Sequence, residues 1–134
     1  MTSEDEHKKI IKELLDDLNE KIRNDLIVER QKIVGFTTSE ISCNFLALLL
    51  HRKNLISPGF NVNHRFFISE KIARKKFDFD FPFKEKLIPL LVEQERYRIL
   101  LCYGRDKKRD VVEKAIKVML TIKKIIEEEI GETI

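Results

Sequence analysis

Residues 41–50, ISCNFLALLL, limit the fold of this chain more than any other stretch. Ile41, Cys43 and Phe45 through Leu50 would cover nearly the whole circumference of a helix, and a helix apolar all round has to be enclosed by others. Its unbroken apolar run, 45–50, is far too short to span a membrane, so no membrane partner is expected. The segment predicts a central helix over about 38–53. Thr37 with Glu40 reads as a capping box at its start, and Asn54 falls where a left-handed cap would end it.

The rest of the chain supplies amphipathic segments to surround that helix. A first helix is expected over about 4–34, opened by the Ser3/Glu6 capping box and ended by Gly35, with Ile11, Leu15, Leu18, Ile22 and Leu26 as its stripe. Ser57-Pro58-Gly59 marks a turn. A short third helix follows over about 64–77 with Asn63 as N-cap. Asp78 to Phe83 alternates like a strand but has no partner strand, and Pro82 suits the first turn of a helix. The stretch is therefore read as a loop whose Phe side chains tuck onto the core. The fourth helix is expected over about 83–103 with Pro89 inside it and Gly104 at its end. The fifth runs over about 110–130, capped by Asp110 with Glu113 and stopped by Gly131. Its stripe is Val112, Ala115, Met119, Ile122, Ile126 and Ile130. The expected fold is all-α: a single domain, 1–134, with about five helices packed antiparallel around the second.

With 134 residues and 43% hydrophobic side chains there is enough for one core. Charged residues make up 37% and net charge is only +3, but the charge is unevenly placed. Residues 63–77 carry +4 (Arg65, Lys71, Arg74, Lys75 and Lys76 against Glu70), and residues 96–109 carry +5 (Arg96, Arg98, Arg105, Lys107, Lys108 and Arg109 against Asp106). Both ends of the chain are acidic. Bunched positive charge attracts phosphates; the same blocks could equally be solvated faces balanced by acidic neighbours. The two cysteines, Cys43 and Cys102, sit in apolar runs with no CxxC or Cys/His cluster, so no metal, cofactor or disulfide framework is indicated. Buried free thiols and a polar, acidic N-terminus point to the cytoplasm.

Two residues stand out chemically. Arg98 shares an apolar stripe with Leu91, Gln94, Leu101 and Cys102, and a charge so placed needs an anion or acceptors. That acceptor could be a phosphate, a partner subunit, or Glu95 or Asp106 in an ion pair above a snorkelling stem. His64 opens a helix, where its ring could act in proton transfer or simply pack locally.

Several motifs recur in a fixed order: FLALLLHRKNL closing the second helix, NVNHRFF with His64 opening the third, and RILLCYG from Arg98 to Gly104 closing the fourth. In this order and spacing, residues 38–128 resemble the HEPN superfamily, and within it the uncharacterised single-domain prokaryotic branch. The resemblance implies a helical bundle, a homodimer in which the Arg motifs face one cleft, and association with RNA. It also implies a toxin–antitoxin arrangement with a separately encoded small nucleotidyltransferase. The catalytic members are metal-independent ribonucleases carrying a His a few residues after the Arg. Here Cys102 and Tyr103 stand in that place, so cleavage would need Arg98 to stabilise charge with His64 or Tyr103 replacing the missing His. A binding module is expected in preference, with Arg65, Arg74, Arg96, Arg105, Lys107, Lys108 and Arg109 as its nucleic-acid contacts. A structural helical adaptor is the third expectation.

Overall fold

A computed structural model describes residues 4–134 of the chain. Five α-helices form, and the described residues contain no strand: α1 Glu4–Arg23, α2 Gln31–Arg52, α3 Glu70–Lys76, α4 Lys84–Cys102 and α5 Arg109–Ile130, with a 3-10 turn at His64–Phe67. The expected all-α bundle is what the chain adopts.

Helix α2 is the axis. Phe45 through Leu50 are buried on every side, because α1, α4 and α5 all pack against α2. By length and composition α2 would suffice to cross a membrane, but most of its apolar surface is covered by protein. Helix α1 runs antiparallel to it, as the stacking of His7 on His51 requires. Helix α4 is also antiparallel: Cys102 Sγ meets Lys32 O at 3.4 Å, and further along Ser42 Oγ lies 2.8 Å from Gln94 Oε1. Gln94 Nε2 in turn donates to Ala115 O on α5 at 3.1 Å, so one buried polar thread ties three helices.

Several local expectations are corrected. The first helix does not reach residue 34. It stops at Arg23, and Asp25 takes the left-handed conformation (φ 54°). The Leu26 and Asp25 amides bond back to Lys21 O and Ile22 O at 2.8 and 3.2 Å, which closes a Schellman motif. Gly35 therefore ends nothing. It lies inside α2, where a Cβ would come within 2.8 Å of Leu101 Cβ, so the glycine lets α4 approach closely. Thr37 and Glu40 are interior residues of α2, not a cap. The Ser3 cap lies outside the described residues.

The third helix is two pieces. Asn63 caps the 3-10 turn through Arg65 N at 2.8 Å, and Ser69 starts α3 by accepting from Ile72 N at 3.2 Å. Helix α5 opens one residue early, with Lys108 rather than Asp110 at its N-cap. Pro82 precedes α4 instead of entering its first turn. Phe79 and Phe81 do pack around the buried Phe77, whereas Phe83 is exposed with φ 61°. Asn54 (φ 58°) and Gly131 (φ 70°) end their helices as expected.

Candidate functional site

The bundle brings His64 and Arg98 to one carboxylate. The stem of Arg98 runs in the stripe between Gln94 and Leu101, leaving the side chain 14% exposed at the margin. One turn earlier, Glu95 is 5% exposed. Arg98 Nη1 lies 3.7 Å from Glu95 Oε2, an ion pair too long to be a hydrogen bond. His64 Nδ1 lies 3.2 Å from both Glu95 oxygens, with its side chain 20% exposed. The 3-10 turn fixes the ring: Asn63 caps it, and the buried Phe67 anchors its end. Of the acceptors expected for Arg98, Glu95 is the one within reach; Asp106 pairs with Lys32 at 3.7 Å.

Beneath this trio lies Cys43. Burial, then the Glu40 and Glu95 carboxylates, push its thiol far up, with Arg98 opposing. Burial also raises Cys102, whose Sγ faces Lys32 O. Nucleophilic sulfur chemistry needs thiolate, so both cysteines are inert near neutral pH. No group of three potential ligands that could hold a metal occurs among the described residues.

The remaining candidates divide into two sets. Arg65 and Arg96 are exposed, and no side-chain partner joins either among the described residues. Arg105, Lys107 and Lys108 sit in the connection between α4 and α5. This loop is stapled down by the buried Gln31, which accepts from Lys107 N at 2.6 Å and donates to Lys107 O at 3.1 Å. Arg74 and Arg109 are occupied. Arg74 pairs with Glu70 and Glu85, and Arg109 with Asp25 at 2.8 Å. Glu85 begins α4 thirteen residues before Arg98, roughly 20 Å along the helix. Arg74 is thus remote from Arg98, whereas His64 shares Glu95 with it. Tyr103 is 61% exposed.

Two features escaped the sequence reading. Glu95 appeared there only as one acceptor among several, because its link to His64 spans 31 residues. Glu40 looked like a capping partner; as an interior residue of α2 it instead faces a cavity beside Cys43. Exposed apolar side chains also gather where the start of α2 lies against the end of α4: Ile33, Phe36, Ile99, Leu100 and Tyr103. No protein-family model, no curated protein and no solved structure matches this chain significantly.

Proposed function

We propose that this chain is a HEPN-like helical module that binds RNA as a homodimer and pairs with a small nucleotidyltransferase in a toxin–antitoxin-type system. The observation that carries the reading is the convergence of Arg98 and His64 on the buried Glu95. Glu95 offsets part of the guanidinium charge without taking its donors. Arg98 makes no hydrogen bond among the described residues, so its N–H fork remains available to an incoming phosphate. Arg65 and Arg96 add unpaired charge nearby. The exposed Phe36, Ile99 and Tyr103 give a second copy an apolar patch to cover, and a two-fold pairing there would set two Arg98 side chains along one groove.

The test is RNA affinity against salt. Arg98→Ala should weaken binding about tenfold at low salt and flatten the salt slope by roughly one unit. Lys8→Ala, on the far helix, should change neither. Equal affinities for the two variants, or no binding at low salt, would remove the reading and leave a structural adaptor.

The His64–Glu95 contact favours a second reading, metal-independent cleavage. With Nδ1–H donated to Glu95, the Nε2 lone pair would take the 2′-hydroxyl proton as the 2′-oxygen attacks phosphorus and the P–O5′ bond breaks, the leaving 5′-oxygen taking its proton from solvent water. Arg98 would stabilise the pentacoordinate charge. Cleavage in the presence of a chelator, lost in His64→Gln, separates this reading from binding alone.

A further inference from the structure

Cys43 has a second side. Away from Arg98 it lines a recessed cavity of about 190 Å³ between α1, α2 and residues 61–62. That is below the roughly 300 Å³ of drug-sized ligand sites and suits one small ring system. Ile10, Ala47 and Val62 give it apolar walls, while His7, Glu40, Asn44 and Asn61 bring polar groups to it.

Those polar groups are unevenly satisfied. Asn44 is committed: its Oδ1 accepts from His7 Nδ1 at 2.8 Å, and its Nδ2 donates one proton to Glu40 O at 2.8 Å, leaving the second. The Asn61 side chain has no partner among the described residues. The Glu40 carboxylate, half-buried, makes no hydrogen bond or ion pair there either. A recessed carboxylate without donors is unfavourable unless something supplies them. The cavity therefore presents the half-buried Glu40 carboxylate beside amide N–H groups of Asn44 and the exposed Asn61, between apolar walls.

The cavity adjoins the phosphate-binding group. Cys43, which lines the cavity, interacts electrostatically with Glu40, Glu95 and Arg98. The segment that carries Asn61 into the cavity carries His64 to Glu95 three residues later.

We propose that this cavity is a nucleobase pocket selective for guanine, seating one unstacked base of the RNA strand whose phosphate Arg98 holds. The inference rests on the RNA-binding reading above. On its Watson–Crick edge guanine presents the O6 acceptor beside two adjacent donors, N1–H and the N2 amino group. The Glu40 carboxylate accepts both donors, and an Asn amide donates to O6. Adenine and cytosine place an acceptor at the N1–H position, and cytosine and uracil place one at the N2 position, in each case against the carboxylate, and the site rejects them for that reason. Recognition of splayed bases through this edge is the usual mode for single-stranded RNA.

The experiment is a backbone and side-chain amide NMR titration of the full chain with GMP, AMP, CMP and UMP, alongside short single-stranded RNAs with and without one guanine. GMP should bind about tenfold tighter than the other three and shift the amides of Ala47, Val62 and Asn61. Glu40→Gln, which can accept only one of the two donors, should bring GMP down to the level of the others. Asn61→Ala, in a segment that supports no helix, should weaken GMP severalfold and serves if Glu40→Gln perturbs the fold. Equal affinity for all four nucleotides, with shifts confined to Arg98 and its neighbours, overturns the pocket and leaves the RNA reading intact. GMP selectivity with no RNA binding supports the pocket and removes the RNA reading. Tighter binding of N-acetylarginine amide than of GMP at the same residues overturns the pocket in favour of an arginine side chain from a protein partner.

Discussion

The two buried histidine clusters are built on opposite plans. In one, His7 meets neutral groups. Its Nδ1 bonds Asn44 Oδ1 at 2.8 Å, its ring stacks on His51 at 5.2 Å and 29°, and the Nε2 atoms of both rings are buried without a partner. In the other, His64 meets charge. Glu95 stands between it and Arg98, and all three lie at the margin of solvent. The first cluster fastens α1, which packs along α2 alone among the helices. The second holds an arginine next to solvent without consuming its donors. A structural histidine here has neutral partners; a candidate functional one has a carboxylate and an arginine beside it.

The sharpest way to break that contrast is to truncate each side. His7→Ala removes a 7%-exposed ring from the α1–α2 contact. It should cost roughly 2–4 kcal/mol in denaturant unfolding, by analogy with other large-to-small core changes. A loss below about 1 kcal/mol would mean that this ring does not fasten α1 to α2. A smaller loss tests the packing beneath the open side. Gly35→Ala brings a Cβ to 2.8 Å from Leu101 Cβ, and both atoms sit on helix backbones that must separate. About 1–3 kcal/mol should be lost; a stabilised variant would mean that the α2–α4 crossing gives way freely.

How much of this was legible in sequence follows from the range of each interaction. The central position of α2 was readable, because an all-apolar helix has only one place to go. Asn54, Asn63 and Gly131 were readable, because their roles depend on one or two neighbouring residues. Gly35 was misread because a glycine at a helix end and a glycine under a crossing helix look alike, and the distinguishing residue, Leu101, is far away in the chain. Asp25 was missed because Asp fills a left-handed cap less often than glycine. Arg98 and His64 were identified separately from their local settings. Glu95 as their common partner, and Glu40 as the acceptor in a cavity, exist only once α2, α4 and the 61–64 segment are packed.

A smaller effect tests the electrostatics of the open cluster. Glu95→Gln keeps the volume and an acceptor for His64 but removes the charge 3.7 Å from Arg98. A carboxylate about 7 Å from a bound phosphate at water-like dielectric repels it by roughly 0.6 kcal/mol. RNA should therefore bind about twofold to threefold more tightly at low salt, and the gain should fade as salt rises. Weaker binding would mean that Glu95 acts by aiming Arg98 and His64 rather than by screening them. If the chain cleaves RNA, the same variant loses cleavage while keeping the tighter binding.

The smallest expected effect is a pH dependence confined to the sealed cluster. His51 is pushed below its ordinary value near 6.5, first by burial and then by His7, with Glu4 opposing. A histidine whose folded value is depressed takes up its proton first in the unfolded chain. Its contribution is thus fully present above about pH 6.5 and declines as pH falls below that value. The charged groups around it act in other ranges. Arg52, bonded to Glu4 and Glu132, stays charged throughout, and Glu132 is held below the usual carboxylate range by Lys8 and Arg52. Between pH 7 and 5.5 His51 therefore titrates without interference from Glu132. The unfolding midpoint of the native chain should drop over this interval, and hydrogen exchange should speed up first in α1. His51→Phe, which keeps a ring against His7 but carries no proton, should flatten the drop. A native chain whose midpoint does not fall between pH 7 and 5.5, or a His51→Phe variant that falls just as far, would mean that burial of this ring does not link the seating of α1 to protonation.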